Sequence, residues 1–111
     1  MNSNANVNLA NSSLTVAKFG GTSVADFDAM VRCANIIKND TSNRLVVVSA
    51  SAGVTNNLVR LGQENVPSAE QSTIIAEIKA IQLNITQHLS SDVEASLNKE
   101  INSLLVSLRE L

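Results

Sequence analysis

Lys18, Gly20, Gly21, Thr22 and Ser23 stand together in Lys18-Phe19-Gly20-Gly21-Thr22-Ser23-Val24, directly after the short apolar run Leu14-Thr15-Val16-Ala17. Their chemistry suits an anion. Glycines let a ligand approach the backbone where a Cβ would obstruct it. The first N–H groups of a following helix lack internal partners, and the helix dipole favours negative charge there. Lys18 adds a full positive charge on a flexible stem. The stretch fits neither the G-x-x-x-x-G-K-[ST] P-loop nor the G-x-G-x-x-G dinucleotide spacing. A second group has a similar character: Ser49-Ala50-Ser51-Ala52-Gly53-Val54-Thr55-Asn56 follows Leu45-Val46-Val47-Val48 and leads into a helical pattern.

Plainer readings compete at each position. A lone lysine at a strand end is usually a solvated charge, and Ser49 and Thr55 can be turn residues, with Thr55 capping the helix it precedes. Thr22 and Ser23 read as N-caps first and ligand donors second. Asp26 and Asp28 suit the start of a helix through its dipole and receive no catalytic role. His88 has no partner at ligand spacing and reads as structural.

The elements that must position these residues form a βαβ unit. A strand over about 14–19 precedes a helix over about 25–38, with Phe27, Met30, Val31, Ala34 and Ile37 on one face. After the turn Asn39-Asp40-Thr41-Ser42-Asn43, the continuous apolar run predicts a strand over about 44–49, buried on both faces of a parallel sheet. Parallel pairing with a right-handed crossover brings both turns to the carboxyl edge of the sheet, where open α/β folds bind ligands. The remainder reads as helical. A short helix over about 54–63 ends at Gly62, and Ser68 with Gln71 forms a capping-box signal for a helix carrying Ile74, Ile75, Ile78, Ile81, Ile85 and Leu89. Ser91 with Glu94 repeats the signal before Val93, Leu97, Ile101, Leu104, Leu105, Leu108 and Leu111, so the last two helices are expected to pair as an antiparallel hairpin. Residues 1–13, mostly Asn, Ser and Ala, read as a disordered polar tail.

Composition narrows the function classes. The chain has 111 residues and a net charge of −2, which suggests neither a nucleic-acid nor a membrane-surface partner. Only two of its residues are aromatic, both Phe, so the core must be aliphatic. The single cysteine, Cys33, cannot form an internal disulfide; it reads as a packed, inert thiol and fits a reducing cytoplasm. No stretch approaches the ~20 apolar residues of a membrane span, and the amino terminus lacks the basic and apolar regions of a signal peptide.

Lys18–Val24, continued by Ala25-Asp26-Phe27-Asp28-Ala29-Met30, together with Val46-Val47-Val48-Ser49-Ala50-Ser51-Ala52-Gly53-Val54-Thr55-Asn56, resembles the amino-terminal part of an aspartate kinase, most nearly the monofunctional, lysine-sensitive bacterial type. The resemblance implies an α/β fold: a partial three-layer amino-acid-kinase domain over 14–111, with the parallel βαβ unit followed by a mostly helical segment and its long hairpin. It implies transfer of the γ-phosphoryl group of ATP, carried with Mg²⁺, to the side-chain carboxylate of L-aspartate. It also implies that Lys18 is catalytic and, with Gly20 and Gly21, binds the ATP phosphates, while Ser49 and Thr55 bind aspartate. No metal ligand is identifiable. An aspartate carboxylate is already ionised at neutral pH, so such chemistry needs charge neutralisation and positioning rather than a general base.

The apolar stripe is still running at Leu111. The chain is therefore expected to be a piece of a longer catalytic domain, inactive alone, and to cover its open apolar faces as a homo-oligomer. Other readings remain: the kinase half of an aspartokinase–homoserine dehydrogenase, another amino-acid-kinase relative, or a free-standing helical interaction module.

Overall fold

The computed structural model describes residues 2–9 and 12–111, with side chains from Thr15 onward. The chain divides into two compact units, residues 1–52 and 53–111.

The first unit is a three-stranded sheet with one helix. Strands β1 (Asn2–Leu9), β2 (Ser12–Phe19) and β3 (Asn43–Val48) lie in the order β1-β2-β3. A 3₁₀ helix over Gly21–Val24 and α1 (Phe27–Asn39) connect β2 to β3. The pairing of β2 with β3 is parallel, as expected, with Ala17 opposite Val46, Lys18 opposite Val47 and Phe19 opposite Val48. β1 corrects the expectation of a disordered tail. It pairs antiparallel with β2, with Asn2 opposite Phe19 and Leu9 opposite Ser12. The physical reason is the second edge of β2, whose N–H and C=O groups need partners. The sequence carries a signal for it: Asn2, Asn4, Asn6 and Asn8 alternate with Ser3, Ala5, Val7 and Leu9, a period of two masked by the low strand preference of Asn. Met1, Ala10 and Asn11, also read as tail, lie outside the described residues.

Alternation along β2 sets the core. Thr15, Ala17 and Phe19 are buried, whereas Lys18 is exposed on the opposite face. Ala17, Phe19, Val24 and Cys33 form one cluster, with Met30 and Ile37 packed against it. The face of α1 turned inward is the expected one only in part, since Met30 and Ile37 pack on the core. Ala29 and Cys33 are buried, while Val31 and Ala34 are exposed. Phe19 supplies the bulk on the strand side, so a methyl and a thiol are what fit opposite it.

α1 begins at neither Thr22 nor Ser23. Its N-cap is Asp26, whose carboxylate accepts the Ala29 N–H at 2.8 Å, and Thr22 and Ser23 lie in the 3₁₀ helix. At the other end, Asp40 accepts both the N–H and the hydroxyl of Ser42, and the Ser42 hydroxyl lies 2.9 Å from that of Thr15 on β2. These two hydrogen bonds hold the Asp40 carboxyl below the usual carboxylate range. β3 departs from the expected two-sided burial: Leu45, Val46, Val47 and Val48 are 39–59% exposed, because β3 is an end strand.

The second unit consists of α2 (Val54–Leu61), α3 (Ser68–Thr86) and α4 (Ser91–Arg109), with α3 packed against both others. Val54, Ile74 and Ile78 form its core, with Leu61, Val66, Ile81, Leu105 and Leu108 around them. The isoleucine stripe therefore acts as its spacing predicts, and Thr86 Oγ1 donates to Asn98 Oδ1 at 2.7 Å across the hairpin. Neither capping box forms. The N-caps are Pro67 and Ser90 without a side-chain bond, and the Gln71 amide donates to the Val66 carbonyl instead. No residue of α4 is fully buried; Leu104 is 65% exposed and Val106 57%.

Candidate functional site

Parallel pairing places Lys18, Gly20, Gly21 and Ser49 at one end of the sheet, the carboxyl ends of β2 and β3. The ladder continues past both strands: Ser49 N–H donates to Phe19 C=O at 3.1 Å, and Ala52 N–H donates to Gly21 C=O at 3.2 Å. The two turns are thus laced by backbone alone. Lys18 sits one residue before the end of β2, its side chain exposed on the sheet face away from α1.

The two glycines differ in what requires them. A Cβ on Gly21 would stand 3.2 Å from the Ala50 carbonyl oxygen and 3.5 Å from Ser49 Oγ. Gly21 is therefore small because a neighbouring turn crosses it. Gly20 has extended backbone (φ −77°, ψ 177°), and a Cβ there would meet nothing within 4 Å. Its open side is the part of the turn with room for a ligand. The N–H groups of Gly21 and Thr22, the first of the 3₁₀ helix, have no partners inside that helix. Ser23 is held from the helix side, since the buried Cys33 thiol donates to its carbonyl at 3.1 Å. This accounts for Cys33 as a packed thiol. A hollow of about 260 Å³ beside the 3₁₀ helix is lined by Phe19, Thr22, Ser23, Ala29, Arg32, Cys33 and Ile36. Arg32 is a cation near the turn that the motif reading did not single out.

Ser49 is exposed, and its hydroxyl donates to the Ala50 carbonyl at 2.9 Å. Thr55 belongs to the helical unit, exposed in the first turn of α2. It is not the cap of that helix. The N-cap is Gly53, at φ +92° in the region that only glycine enters without strain. An amide in the same helix also escaped the motif reading: Asn57 is only 8% exposed, at a position where the Val54–Leu61 spacing calls for an apolar residue.

Among the described residues, no group of three or more His, Cys, Asp or Glu side chains could hold a metal ion. No helix among the described residues is long and apolar enough to cross a membrane.

Residues 13–109 match the amino acid kinase family. Lysine-sensitive aspartokinase 3 of Escherichia coli K12 is 45% identical over 100 residues, covering 90% of this chain and 22% of that protein. A protein of Haemophilus influenzae Rd described as a putative inactive aspartokinase 3 is 45% identical over 82 residues, 74% of this chain and 67% of that protein. The crystal structure of E. coli aspartokinase III in complex with aspartate and ADP superimposes with a TM-score of 0.77 at 46% identity, covering 86% of this chain and 21% of that one. The chain thus spans about a fifth of the length of the E. coli enzyme and two thirds of the H. influenzae protein. From the match over nearly all its length and the shared fold, the chain belongs to the amino acid kinase family and corresponds to the amino-terminal part of its aspartokinases.

Proposed function

We propose that this chain carries the phosphate turn and the acceptor turn of an aspartate kinase, which transfers the γ-phosphoryl group of ATP to the side-chain carboxylate of L-aspartate. The observation that carries the reading is the convergence of Lys18, the open side of Gly20 and the exposed Ser49 at the carboxyl end of the parallel pair. That is the place and the donor chemistry a triphosphate and a carboxylate require. Lys18 is the catalytic residue: its ammonium neutralises charge on the phosphates as the transferring group separates. Gly20 and Gly21 offer backbone N–H groups to the same oxygens. Ser49 and Thr55 bind the aspartate through their hydroxyls, and the aspartate carboxylate attacks without a base because it is already ionised.

Binding rather than turnover is the role of these residues alone. They span about a fifth of the E. coli enzyme and resemble a protein described as inactive. The ATP they help bind is expected to arrive with Mg²⁺ held by other groups. Exposed Leu45–Val48 and the bare flank of α4 support association with further protein surface, as in a homo-oligomer. A biosynthetic role at the start of the lysine, threonine and methionine route, in the cytoplasm, follows from the same reading.

Calorimetric titration with ADP and with L-aspartate tests it. Lys18→Ala is expected to weaken ADP binding about tenfold or more, and, wherever turnover is measured, to lower it roughly 10²-fold or more. Thr55→Ala should weaken aspartate about three- to tenfold and leave ADP unchanged. Equal ADP affinity in Lys18→Ala, or equal aspartate affinity in Thr55→Ala, removes the corresponding role.

A further inference from the structure

We propose that Asn57 and Arg60, braced by Glu77 and Ile81 of α3, are positioning residues for the Gly53–Thr55 turn and so set the affinity for the amino-acid substrate; this rests on the reading of Thr55 as an aspartate contact. The argument starts from Asn57. A buried amide on an apolar stripe is unfavourable unless its polar atoms are matched, and here both are. Its Nδ2 donates to the Gly53 carbonyl at 2.9 Å, and its Oδ1 accepts from Arg60 Nη1 at 3.0 Å. The Gly53 carbonyl also receives the Asn57 N–H at 3.1 Å, so one residue grips that oxygen twice. Gly53 is where the chain needs holding, since its backbone lies at φ +92°.

The grip is anchored outside α2. Arg60 Nη1 also donates to Glu77 Oε2 at 3.0 Å, and Arg60 Nη2 lies 4.0 Å from Glu70 Oε1. One turn along α3 from Glu77, Ile81 Cδ1 lies 3.2 Å from where a Gly53 Cβ would stand. Two residues at i and i+4 on α3 therefore act on the same turn, one through a polar relay and one by contact. Thr55 follows Gly53 by two residues, so its direction is inherited from that carbonyl. Misplacing a binding group by a fraction of an ångström weakens what it holds. An apolar residue at 57 would satisfy the stripe but release the carbonyl.

The test uses Asn57→Leu, Arg60→Ala, Arg60→Lys and Thr55→Ala in the native protein, with L-aspartate and ADP as probes. Asn57→Leu and Arg60→Ala should each weaken aspartate about three- to tenfold with ADP affinity within about twofold. Amide hydrogen exchange at residues 54–57 should quicken in both, and Arg60→Lys, which keeps a cationic donor, should recover most of the loss. Arg60 is half exposed, so its substitution keeps the question open to measurement if Asn57→Leu fails to fold. Aspartate affinity within about twofold of the unsubstituted protein in Arg60→Ala, with Thr55→Ala weakened, overturns this inference and leaves the functional reading intact. A parallel loss of aspartate and ADP binding overturns it too, since that marks a merely structural role. No aspartate binding by the unsubstituted protein, or an unchanged affinity in Thr55→Ala, removes the functional reading and the inference with it.

Discussion

The turn after β2 and the turn that opens α2 are built by opposite means. Around Gly21 the work is done by backbone: Phe19 and Gly21 carbonyls accept from Ser49 and Ala52, and the Ala50 carbonyl crosses where a Cβ would stand. Around Gly53 it is done by side chains, with Asn57 on the carbonyl, Arg60 and Glu77 behind it, and Ile81 3.2 Å from where a Cβ would stand. A turn held by backbone depends on which residues are small and is indifferent to most neighbouring side chains. A turn held by side chains can be loosened from residues far outside its own motif. Both turns rest on residues about thirty positions away, Ala52 for Gly21 and Ile81 for Gly53, but only the second depends on which side chains stand there.

The sharpest way to break this contrast is Gly53→Ala. A non-glycine residue at φ +92° is strained, and the expected loss of stability is about 1–2 kcal/mol, read from denaturant unfolding. An unchanged midpoint would mean that the turn relaxes and is not held. Next comes the pair Gly21→Ala and Gly20→Ala. The first places a Cβ 3.2 Å from a backbone oxygen that can yield only by moving the second turn, and should cost about 1 kcal/mol. The second enters open space and should stay within about 0.5 kcal/mol. Any effect of Gly20→Ala on ADP binding then reports on the ligand and not on folding. Equal costs for the two would erase the distinction between a glycine kept for a neighbouring turn and one facing open space.

The smallest expected effect concerns the turn that returns the chain to β3. Ser42 lowers the Asp40 pKa in the folded protein, so this group's contribution is present above the ordinary carboxylate pKa. It is lost as the pH falls through the lower, folded value. Asp40→Asn should accordingly lower the melting temperature slightly at neutral pH, with the difference from the unsubstituted protein closing as the pH falls below about 4. A decline of the same steepness in both proteins would show that the Asp40–Ser42 bonds do not contribute.

Legibility in the sequence followed the range of the interactions. The parallel pair of β2 and β3, the helix between them and the isoleucine stripe of α3 were readable because periodicity and propensity act within a few residues. Helix starts were read less well. Asp26 took the cap expected of Thr22 or Ser23, because the intervening 3₁₀ helix moves the start of α1 onward by a turn. Gln71 turned to Val66 because Pro67, whose φ of −61° suits the entry to a helix, took the N-cap position expected of Ser68. The first strand is hidden in the sequence because Asn, which disfavours strands, masks its own alternation with Ser, Ala, Val and Leu.

Sequence by itself determined the motif residues, the family they belong to and the order of strand, turn and helix, all of which depend on side-chain identity and local spacing. Folding in three dimensions assigned the reasons. Gly21 is small for Ala50, Cys33 is buried to hold the Ser23 carbonyl, and Asn57 is polar to grip Gly53. Each of those reasons is a contact between residues that no short period relates, and a contact of that kind exists only once the chain has closed on itself.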